Sequence, residues 1–186
     1  MYKSVLDYFE ETVKRVPEKK AIRHNEDDCT FAMLQEQAQK LGSYMIELVG
    51  DIKNRPIVVL LPKSMDAVVA DLGISYSCNI FNNLDVKTPV HRLENIIKLL
   101  KPVMVITNNA YKDMLSWQEY DVKLLNLDET VLCDININAE ELEKRRKELI
   151  DTDPFCIINT SGSTGTPKGV VLNYKSFFDF VTWADE

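Results

Sequence analysis

Ile157-Ile158-Asn159-Thr160-Ser161-Gly162-Ser163-Thr164-Gly165-Thr166-Pro167-Lys168-Gly169-Val170-Val171-Leu172 is the stretch on which the reading of this sequence turns. An apolar run gives way to a segment built almost wholly from Gly, Ser and Thr, with one lysine near its end, and a second apolar run follows. Half of the chain's six glycines (Gly162, Gly165 and Gly169) fall here. Glycine reaches backbone conformations with positive φ that a Cβ forbids, so successive N–H groups can converge on an anion. The hydroxyls of Thr160, Ser161, Ser163, Thr164 and Thr166 add donors, and Lys168 adds a full positive charge suited to phosphate. The chemistry reads as a phosphate-binding loop; on composition alone, an ordinary polar connection between two strands reads equally well.

The P-loop of nucleotide triphosphatases, G-x-x-x-x-G-K-[ST], does not fit. Pro167 precedes the lysine where that motif needs Gly, and Gly169 follows it where the motif needs a Mg-binding hydroxyl. The run Thr160-Ser161-Gly162-Ser163-Thr164-Gly165-Thr166-Pro167-Lys168-Gly169-Val170 instead closely resembles the signature of the acyl-adenylate-forming enzymes, which include acyl-CoA synthetases, luciferases, D-alanine-activating ligases and nonribosomal peptide synthetase adenylation domains. In that family the loop grips the β- and γ-phosphates of ATP while a substrate carboxylate attacks the α-phosphate. The resemblance therefore assigns Thr160, Ser161, Gly162, Ser163, Thr164, Gly165, Thr166 and Lys168 to ATP. It implies Mg, held by a residue outside this chain, a carboxylic or amino acid substrate, and a thiol acceptor on CoA or on a carrier-protein phosphopantetheine. No catalytic residue and no metal ligand is assigned within the chain.

The remaining sequence is consistent with one α/β domain spanning residues 1–186, long enough to bury a sizeable core. Its 45% apolar and 27% charged content is ordinary for a globular protein. A net charge of −7 with no basic stripe argues against nucleic-acid binding, so ATP would depend on a local site. Cys29, Cys78, Cys133 and Cys156 lie far apart and read as buried reduced thiols of a cytoplasmic protein; with His24 and His91 they build no recognisable metal site. The N-terminus lacks the apolar core of a signal peptide, and no apolar run approaches membrane-spanning length.

Along the chain, Ser4 caps a first helix closed by Pro17, and residues 20–31 form a small hairpin with His24 as a partly exposed strand residue. Thr30 caps a long helix whose stripe Phe31, Leu34, Ala38, Leu41, Met45, Leu48 faces a core, and Gly50 stops it. Pro56-Ile57-Val58-Val59-Leu60-Leu61 is a strand buried on both faces. A helix capped by Ser64 and the strand Asn79-Ile80-Phe81 complete a βαβ unit. Thr88 and Pro89 open the next helix as N-cap and N1, with His91 exposed in its first turn. Strands follow at residues 103–107 and 122–127, with a short helix at 111–117 and a loop at 128–138. Residues 139–150 form a helix with a solvated face laced by Glu140–Lys144, Glu141–Arg145 and Glu143–Lys147 pairs. A strand at 155–159 enters the glycine segment, 170–172 continues as a strand, and 174–183 is an amphipathic helix with Phe177, Phe178, Val181 and Trp183 as its apolar members.

Two further segments resemble the same family. Thr30-Phe31-Ala32-Met33-Leu34 matches its Thr-aromatic-x-x-Leu helix start, and Asp85, Pro89, Arg92 and Leu93 sit where its second motif region has them. Cys78 replaces a usual small Gly, Asn82-Asn83 replaces an apolar-Pro pair, and Tyr174 stands where many members carry His. Asn79, Asn82 and Asn83 are open to two readings, turn and cap residues or substrate contact.

The resemblance implies a layered α/β/α fold with a mostly parallel sheet, the first part of the family's large N-terminal domain. The segments that in relatives supply the adenine pocket, the Mg-binding acid, the ribose-binding Asp and the catalytic Lys are not in these residues. The expectation is an ATP-dependent carboxylate-activating ligase of which this chain is an inactive piece, with apolar surface free for self-association. A non-catalytic nucleotide-binding or scaffold module is the alternative if the chain is complete. Amino acids are the expected substrate class, with fatty or aryl acids second.

Overall fold

A computed structural model describes residues 3–24, 27–161 and 167–185. Helix α1, Val5–Arg15, begins after Ser4, and the Asp7 carboxylate accepts the Lys3 and Ser4 N–H groups at 2.6 and 3.0 Å. Strands β1, Lys20–His24, and β2, Asp27–Thr30, pair antiparallel as the expected hairpin. Helix α2, Phe31–Val49, starts where Thr30 accepts the Met33 N–H and ends at Gly50, whose φ of 70° closes the last turn. Strand β3, Pro56–Val59, leads through Ser64, which accepts the Ala67 N–H, into α3, Met65–Tyr76, and then β4, Ile80–Asn83.

Helix α4 runs Val90–Leu100 with Pro89 as its N-cap, one residue later than the sequence suggests, because Pro89 is extended at ψ 141° and cannot be a first helical residue. Strand β5, Met104–Thr107, and β6, Lys123–Asn126, follow. Between them residues 111–117 form turns ending in a 3-10 turn at Trp117–Glu119 rather than a helix, because the indole N–H of Trp117 donates back to the Lys112 carbonyl. A 3-10 turn at Leu132–Asp134 interrupts the next loop. Helix α5, Ala139–Glu148, precedes β7, Pro154–Ser161, β8, Pro167–Asn173, and α6, Tyr174–Asp185.

Six strands form one sheet in the order β6-β5-β3-β4-β7-β8, parallel throughout except for the antiparallel β7–β8 pair. Alternation along β3 and β5 divides the core into two. Ile57, Val59, Met104 and Ile106 face α2 and α3, while Val58, Leu60 and Val105 face α4 through Leu93, Ile96 and Ile97. Helices thus cover both faces, the layered α/β/α architecture. Helices α2 and α3 cross at two glycines: a Cβ on Gly42 would meet the Tyr76 Cβ at 2.9 Å, and one on Gly73 the Ala38 carbonyl at 3.2 Å.

Cys78 takes φ 58°, the left-handed region, at the corner between α3 and β4. A glycine, which the family resemblance implies here, would take this backbone without strain; a side chain costs about 1 kcal/mol. Asn79 secures the same corner, donating to the Ile52 carbonyl at 3.2 Å and accepting the Arg55 N–H at 3.2 Å. It is a structural residue, not a substrate contact.

Two surface readings change. Arg145, on the helix expected to be solvated, is only 1% exposed. All five of its N–H groups are used: on Glu141 at 2.9 Å, Asp51 at 3.2 Å, and the carbonyls of Ile52, Ser77 and Gly50 at 3.0, 3.3 and 2.9 Å. Of the other pairs on α5, Glu143–Lys147 stands at 3.8 Å, while Lys144 meets Glu141 at 3.2 Å. In α6, Phe177 and Phe178 pack inward but Trp183 is 70% exposed, so the apolar residues do not share one buried face. Cys29, Cys78 and Cys156 are buried, whereas Cys133 is exposed on the 3-10 turn. Among the described residues no helix is long and apolar enough to cross a membrane.

Candidate functional site

The glycine-rich segment joins two strands that are already paired. In the β7–β8 ladder Ile158 lies opposite Val170, Asn159 opposite Gly169, Thr160 opposite Lys168 and Ser161 opposite Pro167. Gly162, Ser163, Thr164, Gly165 and Thr166 lie outside the described residues, as do the side chains of Ser161 and Pro167. Of the residues the sequence assigns to ATP, the structure therefore positions Thr160 and Lys168. The two face each other across the ladder, both exposed, and the Thr160 hydroxyl donates to the Lys168 carbonyl at 3.4 Å.

This local topology also separates the segment from a nucleotide-triphosphatase P-loop. A P-loop runs from a strand into a helix and uses the helix N-terminus for phosphate. Here the chain runs from strand to antiparallel strand, and helix α6 begins only at Tyr174. Binding of an anion would rest on the Lys168 ammonium, side-chain hydroxyls and main-chain N–H groups.

Strand β7 leaves its parallel partner β4 just before this hairpin end, and a buried amide holds it there. Asn82, fully buried, donates to the Ile157 carbonyl at 2.7 Å, and its own oxygen accepts the Asn159 amide at 3.0 Å. An apolar residue at this position could not tie the two strands by side chain. Of the two readings open for Asn82, the structural one holds. The signal was present in the sequence as an asparagine at a strand position that disfavours it.

Asn83 is different: it is exposed and lines a cleft of about 580 Å³ on the same sheet edge. Asp85 and Thr88 line it from the turn before α4, Arg92 from the first turn of α4, and Asn159 from β7. Asp85 also accepts the Lys87 N–H at 2.8 Å. The cleft lies outside the carboxyl ends of β4 and β7, where connections leave the sheet in opposite directions, the usual place for a ligand in an open α/β sheet. A cleft with an arginine, hydroxyl and amide groups beside a Lys/Thr hairpin can hold a polyanion.

Among the described residues no group of three or more His, Cys, Asp or Glu side chains could hold a metal ion. His91 is exposed in the first turn of α4; His24 lies in β1, with its side chain outside the description. Tyr174 is 1% exposed and packs on Phe155 with ring centroids 5.4 Å apart, and burial raises its phenol above the ordinary range. It packs the base of α6.

A family model described as AMP-binding enzyme matches residues 9–185. A D-alanine--D-alanyl carrier protein ligase of Listeria welshimeri is 27% identical over 190 residues, covering 98% of this chain and 35% of the ligase. A dimodular nonribosomal peptide synthase of Bacillus subtilis is 30% identical over 178 residues, covering 96% of this chain and 7% of the synthase. This chain thus spans about a third of the one relative and a small part of the other. The solved structure of the nonribosomal peptide synthetase FmoA3 in its AMPPNP-bound form superposes with a TM-score of 0.76 at 19% identity, over 96% of this chain and 18% of that one. At that identity the likeness is one of fold.

Proposed function

Because the chain belongs to the AMP-binding enzyme family, we propose that it forms the first part of an ATP-dependent carboxylate-activating ligase and carries the grip for the triphosphate. The observation that supports this most is the exposed Lys168 set opposite Thr160 in the β7–β8 ladder, on either side of the Gly/Ser/Thr segment in sequence. In the proposed reaction a carboxylate oxygen attacks the α-phosphorus of ATP, the bond to the bridging oxygen breaks, and pyrophosphate departs with the acyl-adenylate left behind. A thiol then attacks the acyl carbon and AMP leaves. Lys168, the hydroxyls of Thr160, Ser161, Ser163, Thr164 and Thr166, and main-chain N–H groups including those of Gly162 and Gly165 stabilise charge that grows on the pyrophosphate side. A preorganised donor of this kind is worth about 3 kcal/mol of barrier. Mg, where bound, would neutralise phosphate charge; the described residues of this chain offer it no cluster of ligands.

The relatives' names point to the substrate class: one is a D-alanine ligase acting toward a carrier protein, the other a peptide synthase. The proposal is amino-acid activation followed by transfer to a carrier-protein thiol, with fatty or aryl acids and CoA as second choices. The proposal takes this chain to be inactive by itself, since it spans about a third of the D-alanine ligase it matches. The test is ATP–pyrophosphate exchange with a panel of amino and carboxylic acids. The isolated chain should give none above background, while a longer protein containing it should exchange with one or a few amino acids. Acid-dependent exchange by the isolated chain, or none by the longer protein with any acid, would overturn the proposal.

A further inference from the structure

A second cavity, of about 560 Å³, opens on the other side of the molecule, between α1, α2, α3, the β1–β2 hairpin and α6. Its walls are mostly apolar and aromatic. Phe81, Phe155 and Phe177 form a contiguous wall, with centroids 5.2 Å apart for the first pair and 5.5 Å for the second, and Tyr8, Phe9 and Phe31 line the cavity from α1 and α2. One acid enters this lining, Asp71 of α3. Its Oδ2 accepts the Asn83 amide at 2.9 Å, while its Oδ1 is buried with no hydrogen-bond partner among the described residues.

Such an oxygen is costly. A buried carboxylate oxygen left without a donor bears the desolvation penalty of the group, and burial pushes the Asp71 carboxyl up to about 6 despite the Asn83 hydrogen bond that opposes it. Apart from Ser75, whose hydroxyl donates to the Asp71 carbonyl, the buried face of α3 is mostly apolar. A carboxylate in a cavity lined by aromatic side chains is the set that recognises an ammonium group: the charge pairs with the carboxylate and the rings can take up the cation or its apolar body.

We propose that this cavity binds a small hydrophobic amine, its ammonium group paired with the Asp71 carboxylate and its aromatic or aliphatic body against Phe81, Phe155 and Phe177. The site makes no use of the glycine-rich hairpin and stands independently of the proposed ligase activity. Asn83 connects the two regions, since it lines the cleft beside the hairpin and donates to Asp71.

The experiment is titration of the chain at pH 8 with phenethylamine and with phenethyl alcohol, its neutral near-isostere, followed by calorimetry and by aromatic NMR shifts. The amine should bind at least tenfold more tightly than the alcohol. Asp71→Asn, which keeps an acceptor for Asn83, should remove that advantage and leave alcohol binding unchanged. Phe177→Ala should weaken both ligands together. Equal affinity for amine and alcohol, an amine preference that survives in Asp71→Asn, or no binding of either ligand would overturn the proposal. The comparison of amine with alcohol on the wild-type chain decides the matter even where a variant fails to fold.

Discussion

Replacing Arg145 with Met should destabilise the domain by about 3 kcal/mol. The figure follows from the fate of each partner. The Ile52 and Ser77 carbonyls keep a second donor, the Asn79 amide, at 3.2 and 3.3 Å, so they are not orphaned. The Glu141 and Asp51 carboxylates are 24% and 76% exposed and return to water at little cost. The Gly50 carbonyl loses its side-chain donor, but Gly50 is exposed and water replaces the guanidinium there. The cost therefore sits in the loss of a buried five-donor anchor between α5 and two corners, partly offset by apolar packing of the Met, and comes to about 3 kcal/mol, the low end for breaking a buried pair. In a chain of this size that lowers the melting midpoint by about 6–12 °C. Urea unfolding should show a shifted midpoint and an unchanged slope. Arg145→Lys should recover less than half, because an ammonium cannot span five acceptors in a plane. Asp51→Asn should cost under about 1 kcal/mol, as an exposed pair does. A cost for Asp51→Asn as large as that for Arg145→Met, or full recovery by Lys, would refute the assignment of the anchor to the carbonyls.

Two further perturbations test the packing around the site. Asp71 is raised from 3.8 to about 6, so the native state holds a proton between these values that the unfolded chain gives up. Stability therefore falls as pH rises through about 4 to 6, by about 3 kcal/mol in all. Asp71→Asn should abolish that fall and be the more stable protein at pH 7.5 but not at pH 4; parallel pH profiles in urea would contradict this. Asn82→Ala removes two hydrogen bonds at a fully buried position and should cost about 2–3 kcal/mol. A change below about 0.5 kcal/mol would show that Asn82 does not clamp β7 to β4.

Local signals in the sequence carried most of the architecture. Thr30, Gly50 and Ser64 mark real helix ends because capping needs only near neighbours. The β-branched run ending at Leu61 reads as a central strand because both faces of β3 are covered. The glycine segment stood out because backbone freedom, hydroxyls and a lysine crowd into one short stretch; the structure adds that its flanking residues Thr160 and Lys168 are partners in an antiparallel ladder. What stayed hidden depends on distant partners. Arg145 is buried by residues 50–52 and 77, which no helical period reveals. Residues 111–117 have helix-compatible composition but are held in turns by the indole of Trp117. The Asp71 cavity is assembled from helices, a hairpin and two strands, and its one sequence hint was an acid inside an apolar helix.

The central claim is that the hairpin ending at Lys168 grips the triphosphate of ATP. It is tested most directly by Lys168→Ala in a longer protein that contains this chain and shows amino-acid-dependent ATP–pyrophosphate exchange. Lys168 is exposed at a strand end, so the variant should unfold at the same urea concentration as the parent. Exchange should fall by about 100-fold or more, as removal of one preorganised donor to a developing charge does. An exchange rate within about threefold of the parent (about 0.6 kcal/mol), in a variant of unchanged stability, would contradict the claim.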